Sequence, residues 1–130
     1  RNVTEEIRAK IEDYINKLET QGYKVYNPER DNPYQKTDAI GTKILKHNRH
    51  EMYVADEVHI WYDKESRGSI FDIGMFMVLT MREFKKFVII NREEVAPTTD
   101  KSFENVMLAL EKEFDSPVAN GLKERMESKQ

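Results

Sequence analysis

Asp72 is the only charged residue between Gly68 and Met81, and a carboxylate kept inside so apolar a run is either doing chemistry or holding its own helix. Burying an unpaired carboxylate costs several kcal/mol, so such a group must be partnered, open to a cleft or neutral. Two readings stand side by side. As chemistry, Asp72 is a nucleophile or acid-base group on a pocket floor. As structure, Ser69 at an N-cap with Asp72 three residues on is a capping pair, its carboxylate meeting the positive end of the helix dipole in the first turn. Ser66, Gly68 and Ser69 precede the apolar run. Small residues with free N–H groups at a helix start can hold a phosphate or a sugar hydroxyl, and Arg67 can add a charge; ordinary turn chemistry accounts for the same residues. Trp61 and Asp63, at the exit of the preceding half-apolar segment, complete the substrate-binding candidates.

The elements that must position these groups follow from periodicity. Val3, Ile7, Ile11, Tyr14, Ile15 and Leu18 make one helical stripe, with Asn2 and Glu5 as caps and Gly22 as a left-handed stop. Tyr23 to Tyr26 reads as a strand closed by Asn27-Pro28, and Glu29 to Lys36 as a polar loop. A second helix is expected from about Thr37 to Met52, with Ile40, Ile44, Leu45 and Met52 on its apolar face. Asn48 is aimed inward among them, while His47, Arg49 and His50 point elsewhere. Next come a strand over Glu57 to Tyr62, the apolar helix from about Ser69 to Met81, and a strand over Phe87 to Ile90. A helix through Phe103, Val106, Met107, Leu110 and Phe114 ends before Ser116-Pro117. On the strand Glu57 to Tyr62, Glu57, His59 and Trp61 share one face and Val58, Ile60 and Tyr62 the other. Helices alternating with strands predict an α/β fold, a mostly parallel sheet with helices on both faces, as one domain over 1–115 with a charged tail over 116–130.

Composition narrows the function classes. Charged residues are 35% and hydrophobic ones 38% of the 130, and the net charge is -3. With both signs scattered, no basic stripe offers itself to a nucleic-acid polymer. No cysteine is present, which excludes disulfides and thiolate metal sites and fits a cytoplasmic setting. The three histidines, His47, His50 and His59, are not spaced as a zinc set, so no metal is expected. The apolar run Ile73 to Met81 is too short to span a bilayer. Gly-rich phosphate loops and the Gly-x-Ser-x-Gly elbow are absent, and no cofactor is implied.

Taken together, Ala55-Asp56, Ser66-x-Gly68, Asp72 and Gly74 resemble the pattern of the nucleoside 2-deoxyribosyltransferase superfamily, which includes nucleotide N-glycosidases. The family has an Ala-Asp pair opening a strand, then Ser-x-Gly, a Glu four residues on and a Gly two further; the likeness covers about the first 90 residues. It implies a Rossmann-like or flavodoxin-like three-layer sandwich that binds a nucleoside or nucleoside 5'-monophosphate and cleaves or transfers at its N-glycosidic bond. By position, Asp72 stands for the nucleophilic Glu, Ser66 and Gly68 for the groups at the 5' end of the sugar, and Asn48 for a supporting Asp. Asp for Glu shortens the reach by one methylene, Asn for Asp removes a charge, and the family's first strand with its tyrosine is absent. The substitutions keep a rival open, a non-catalytic binder of a nucleotide or nucleotide-derived signal. A homodimer or larger homo-oligomer is expected on the same resemblance, and the apolar helix Ile70 to Met81 gives a separate reason for one.

Overall fold

The computed structural model describes residues 2–115, with side chains from Thr4 onward; the capping side chain expected at Asn2, the break at Ser116-Pro117 and the tail over 116–130 lie outside the described residues. The chain divides into two compact units, Arg1–Glu51 and Met52–Gln130.

The first unit opens with α1 (Asn2–Thr20). Its stripe buries Ile15 and half-buries Ile7, Ile11, Tyr14 and Leu18. Gly22 ends it as expected: at φ +96 it lets Tyr23 N–H reach the Leu18 carbonyl at 3.1 Å and its own N–H reach Glu19 at 3.0 Å, a paired closure of the last turn. Beyond it the expected strand Tyr23 to Tyr26 does not form. Those residues have no ladder partner among the described residues, and β-favouring side chains alone do not make a strand. The polar loop is also more ordered than its composition suggests. Asn27 caps a one-turn helix, α2 (Pro28–Asp31), accepting from Glu29 N–H at 3.2 Å, while Asp31 accepts from Asn27 N–H at 2.8 Å.

α3 (Thr42–Val54) starts five residues later than the periodicity suggests. The Asp38 carboxylate accepts from the N–H groups of Ile40 at 3.2 Å and Ile44 at 3.0 Å, and Gly41 turns at φ +101. The chain therefore folds back over Asp38 before the helix begins, and Ile40, expected on its apolar face, is left exposed.

In the second unit β1 (Glu57–Ile60) and β2 (Lys86–Ile89) pair in parallel, Val58 against Phe87 and Ile60 against Ile89. Between them lies α4 (Arg67–Leu79), and after β2 a 3-10 turn over Arg92–Glu94 leads to α5 (Phe103–Phe114), capped by Ser102. Parallel strands need such a crossover helix. Phe76 of α4 meets Phe87 of β2 at 4.7 Å and Phe114 of α5 edge-on at 5.3 Å between ring centres. Each such aromatic pair adds about 0.5–1.5 kcal/mol beyond area burial. Phe76, Phe87 and Met107 are the most deeply buried large side chains. The class is thus mixed α/β with parallel strands. The described sheet has two strands where three were expected, too few to define a three-layer sandwich.

Candidate functional site

β1 delivers Trp61, Tyr62 and Asp63 to the carboxyl end of the sheet, the end at which open parallel sheets bind ligands. The turn there is built by side chains. Asp63 accepts from Glu65 N–H at 2.9 Å, and its carbonyl accepts from Ser66 N–H at 2.9 Å. Ser66 then caps α4, its hydroxyl accepting from Ser69 N–H at 3.3 Å, and Ser69 Oγ donates back to the Trp61 carbonyl at 3.4 Å. Trp61, Asp63, Ser66 and Ser69 are therefore brought together by one chain of hydrogen bonds. Arg67 and Gly68 are exposed in the first turn of α4. A Cβ at Gly68 would meet Ser66 Oγ at an ordinary 3.5 Å, so packing does not require glycine there.

Ser66 as the cap corrects the expected start of this helix at Ser69, and with it the place of Asp72. Counted from Arg67, Asp72 is the sixth helical residue, past the first turn. The capping-pair reading is overturned: the partner of Ser66 is Ser69, and helix-end fields fade within a turn. Gly68 and Ser69 lie four and three residues before Asp72, hence on its face of α4. The Asp72 side chain is half-buried, burial pushes its carboxyl up to about 6, and among the described residues nothing hydrogen-bonds or ion-pairs with it. A carboxyl of that kind holds both protonation states near neutral pH, the range a general acid, a base or an ionised nucleophile needs.

Asn48 lies in the first unit and points inward as its position on the helix predicts. Its Oδ1 accepts from Tyr26 Oη at 2.8 Å and from Asn32 Nδ2 at 2.8 Å. Asn32, itself buried, also donates to the Ile44 carbonyl at 3.0 Å and accepts from Tyr34 N–H at 2.9 Å. These bonds give Asn48 a structural task within its own unit. His47, expected to point away from the apolar face of its helix, is half-buried, its ring 5.7 Å from Tyr26 and 6.0 Å from Tyr34. His50 is exposed, and no group of three or more His, Asp or Glu among the described residues is placed to hold a metal ion.

Three residues at or beside the sheet escaped the sequence reading. Asn91, buried just past β2, accepts from Tyr62 N–H at 2.9 Å and donates to the Tyr62 carbonyl at 2.8 Å, closing the strand ends together. Glu104, in the first turn of α5, accepts from Tyr62 Oη at 2.7 Å. Lys85 is buried, its ammonium donating to the carbonyls of Tyr53 at 2.6 Å and Ala55 at 2.8 Å and to Glu83 at 3.2 Å. It thereby satisfies carbonyls at the end of α3 and holds Ala55 at the entry to β1. A polar residue abutting an apolar run was the only signal for Asn91 and Lys85; Glu104 had none.

The site belongs to a mixed α/β chain with one parallel strand pair among the described residues, and no described helix is long and apolar enough to cross a membrane. Comparison with known proteins found no matching family model, no matching curated protein and no matching solved structure.

Proposed function

We propose that the chain is a nucleoside 2-deoxyribosyltransferase-like enzyme that binds a nucleoside or nucleoside 5'-monophosphate at the carboxyl end of β1. There it cleaves or transfers the N-glycosidic bond. One observation carries the reading: Asp72, half-buried and without a partner among the described residues, lies one helical turn beyond a serine- and glycine-bearing helix start. In the proposed reaction the ionised Asp72 attacks the anomeric carbon as the carbon–nitrogen bond breaks and the base leaves with its proton restored from solvent. The glycosyl ester then passes to water or to a second base. Ser66, Arg67, Gly68 and Ser69 would hold the 5' hydroxyl or phosphate, with Trp61 and Asp63 beside the sugar. In this reading the parallel pair is the centre of a Rossmann-like three-layer sheet and the protein acts in the cytoplasm without a cofactor.

The test is a panel of ribo- and deoxynucleosides and their monophosphates, with and without an acceptor base. Release of free base by the native chain, abolished in Asp72→Asn, is the expected result; no release from any substrate would overturn it. The structural task of Asn48 favours a second reading, a non-catalytic nucleotide binder, since Asn48 stands where the family's supporting carboxylate would be. That reading expects nucleotides to raise the melting temperature with no product formed.

A further inference from the structure

Ile40 is 89% exposed, more than any other large apolar side chain among the described residues, and its backbone is firmly held. The Asp38 carboxylate accepts from the N–H groups of Ile40 at 3.2 Å and Ile44 at 3.0 Å, and those of Gly41 and Lys43 bond to the same carboxylate. Gly41, at φ +101, turns the chain there. Four backbone donors on one carboxylate fix the tip, so Ile40 is kept out in water by the very contacts that start α3. A single exposed apolar residue is ordinary on a protein surface. What stands round Ile40 gives it a use.

From Gln35 to His50 the sequence carries Lys36, Lys43, Lys46 and Arg49 against one carboxylate, Asp38, in a chain whose net charge is -3. Lys43 and Lys46 are three apart on α3 and Arg49 is three further, so they share its outward side; all three are exposed, as is Lys36 in the loop before the helix. Nearby carboxylates are already engaged. Asp38 is taken up by backbone, Glu51 of α3 is half-buried 3.6 Å from His47, and Glu29 and Asp31 of α2 pair with Arg8 at 2.7 Å and Arg30 at 2.8 Å. Among the described residues none of the four cations has an ion-pair partner. Tyr34, 39% exposed, lies near the Lys43 ammonium, which is 6.0 Å from its ring centre. An apolar tip, a half-exposed tyrosine and four unneutralised cations therefore run along the start and the outward side of α3.

Each of these groups answers to a different layer of a bilayer that carries anionic lipids. Its headgroups attract lysine and arginine, its interface suits tyrosine, and the acyl boundary just beneath accepts an aliphatic side chain. The phosphate backbone of a nucleic acid would use the cations and leave Ile40 in water. A purely apolar partner would use Ile40 and leave the cations unanswered. We propose that the loop reaching Ile40 and the outward side of α3 dock on an anionic membrane surface, Ile40 entering the acyl boundary while Lys36, Lys43, Lys46 and Arg49 meet the headgroups. Attachment of this kind lies on the bilayer and asks for no spanning helix. It is independent of what the first turn of α4 binds.

Flotation of the full chain with vesicles tests this, comparing phosphatidylcholine alone with phosphatidylcholine containing about one-third phosphatidylserine, at low salt and at about 0.5 M salt. The chain should float with the anionic vesicles at low salt, bind the neutral ones at least about tenfold more weakly, and be released by salt. A cation beside such a surface is worth roughly fivefold in binding, so Lys43→Glu with Lys46→Glu should weaken it by about 25-fold or more. Ile40→Ser should weaken it about tenfold at an unchanged melting temperature, since that side chain has little to lose inside the fold. Lys101→Glu, at an exposed lysine of the second unit, should leave binding as it is. A native chain that stays behind when anionic vesicles float overturns the proposal. So does flotation that Ile40→Ser leaves unchanged, because the cations would then be answering charge alone, as they would on duplex DNA. Equal weakening by Lys101→Glu and by the Lys43 and Lys46 pair would show that no particular face docks, which also overturns it.

Discussion

Tyr62 Oη donates to Glu104 Oε2 at 2.7 Å, joining the exit of β1 to the first turn of α5. Burial first, and then the Glu104 carboxylate, pushes the Tyr62 hydroxyl up to about 12, while the same hydrogen bond holds the Glu104 carboxyl below its usual range. Glu104 therefore contributes stability above its unfolded value of ~4.3, lost as pH falls through its lower folded value. Tyr62 contributes stability in full below ~10, lost as pH rises through about 12. Tyr62→Phe should cost about 1–3 kcal/mol in urea unfolding at pH 7 and raise the Glu104 titration seen by carboxyl NMR. An unmoved Glu104 titration would mean that the bond does not persist in solution.

Asp72 works in the opposite direction for a carboxylate. Its folded value, about 6, lies above the unfolded one, so its contribution is fully present below ~3.9 and is lost as pH rises through about 6. Asp72→Asn should accordingly stabilise the chain at pH 7.5, on the order of 2 kcal/mol, and bring no gain at pH 3.5. Equal effects at both pH values would show that burial does not disfavour the ionised form. If Asp72 is the proposed nucleophile, kcat/KM for base release should fall as pH drops below about 6.

Asn91 stands in for a strand residue, pairing both polar groups of the Tyr62 backbone. Asn91→Ala should leave a buried N–H and a buried carbonyl unpaired and cost about 2–4 kcal/mol. Amide hydrogen exchange at Tyr62 should speed up beyond what the global loss accounts for. Protection that falls only in step with global stability would show that another group takes over.

Asn48 uses its oxygen as acceptor for both Tyr26 and Asn32. Asn48→Asp keeps those acceptors and should cost less than about 1 kcal/mol, whereas Asn48→Leu leaves two donors without a partner and should cost about 2–3 kcal/mol. Thermal unfolding of the pair decides it. The aspartate variant carries a second reading: if the resemblance holds, restoring the carboxylate should raise base release.

Local patterns were readable wherever one element answered to its own period. The stripe of α1, the Gly22 stop, the inward aim of Asn48 and the buried Met107, Leu110 and Phe114 of α5 all follow from spacing on a single helix, whereas Phe103 and Val106 of the expected α5 stripe are exposed. Helix starts were misread where two residues could cap. Ser66 prevails over Ser69, its own N–H bound by the Asp63 carbonyl, and α3 starts at Thr42 with Asp38 holding the N–H groups of Ile40 before the helix and of Ile44 in its first turn. Tyr23 to Tyr26 had strand-like residues but, among the described residues, no neighbour to pair with. Of the candidate site, spacing located the turn and the apolar helix. The partners of Tyr62 were out of reach because Asn91 and Glu104 are 29 and 42 residues away along the chain.

Lys85 gives the second unit a built-in reporter. With its ammonium closed in by two carbonyls and the Glu83 carboxylate, an amine-directed reagent can reach it only after those oxygens let go. The rate at which Lys85 is labelled, set against that of an exposed lysine such as Lys86, therefore clocks how often the entry to β1 opens.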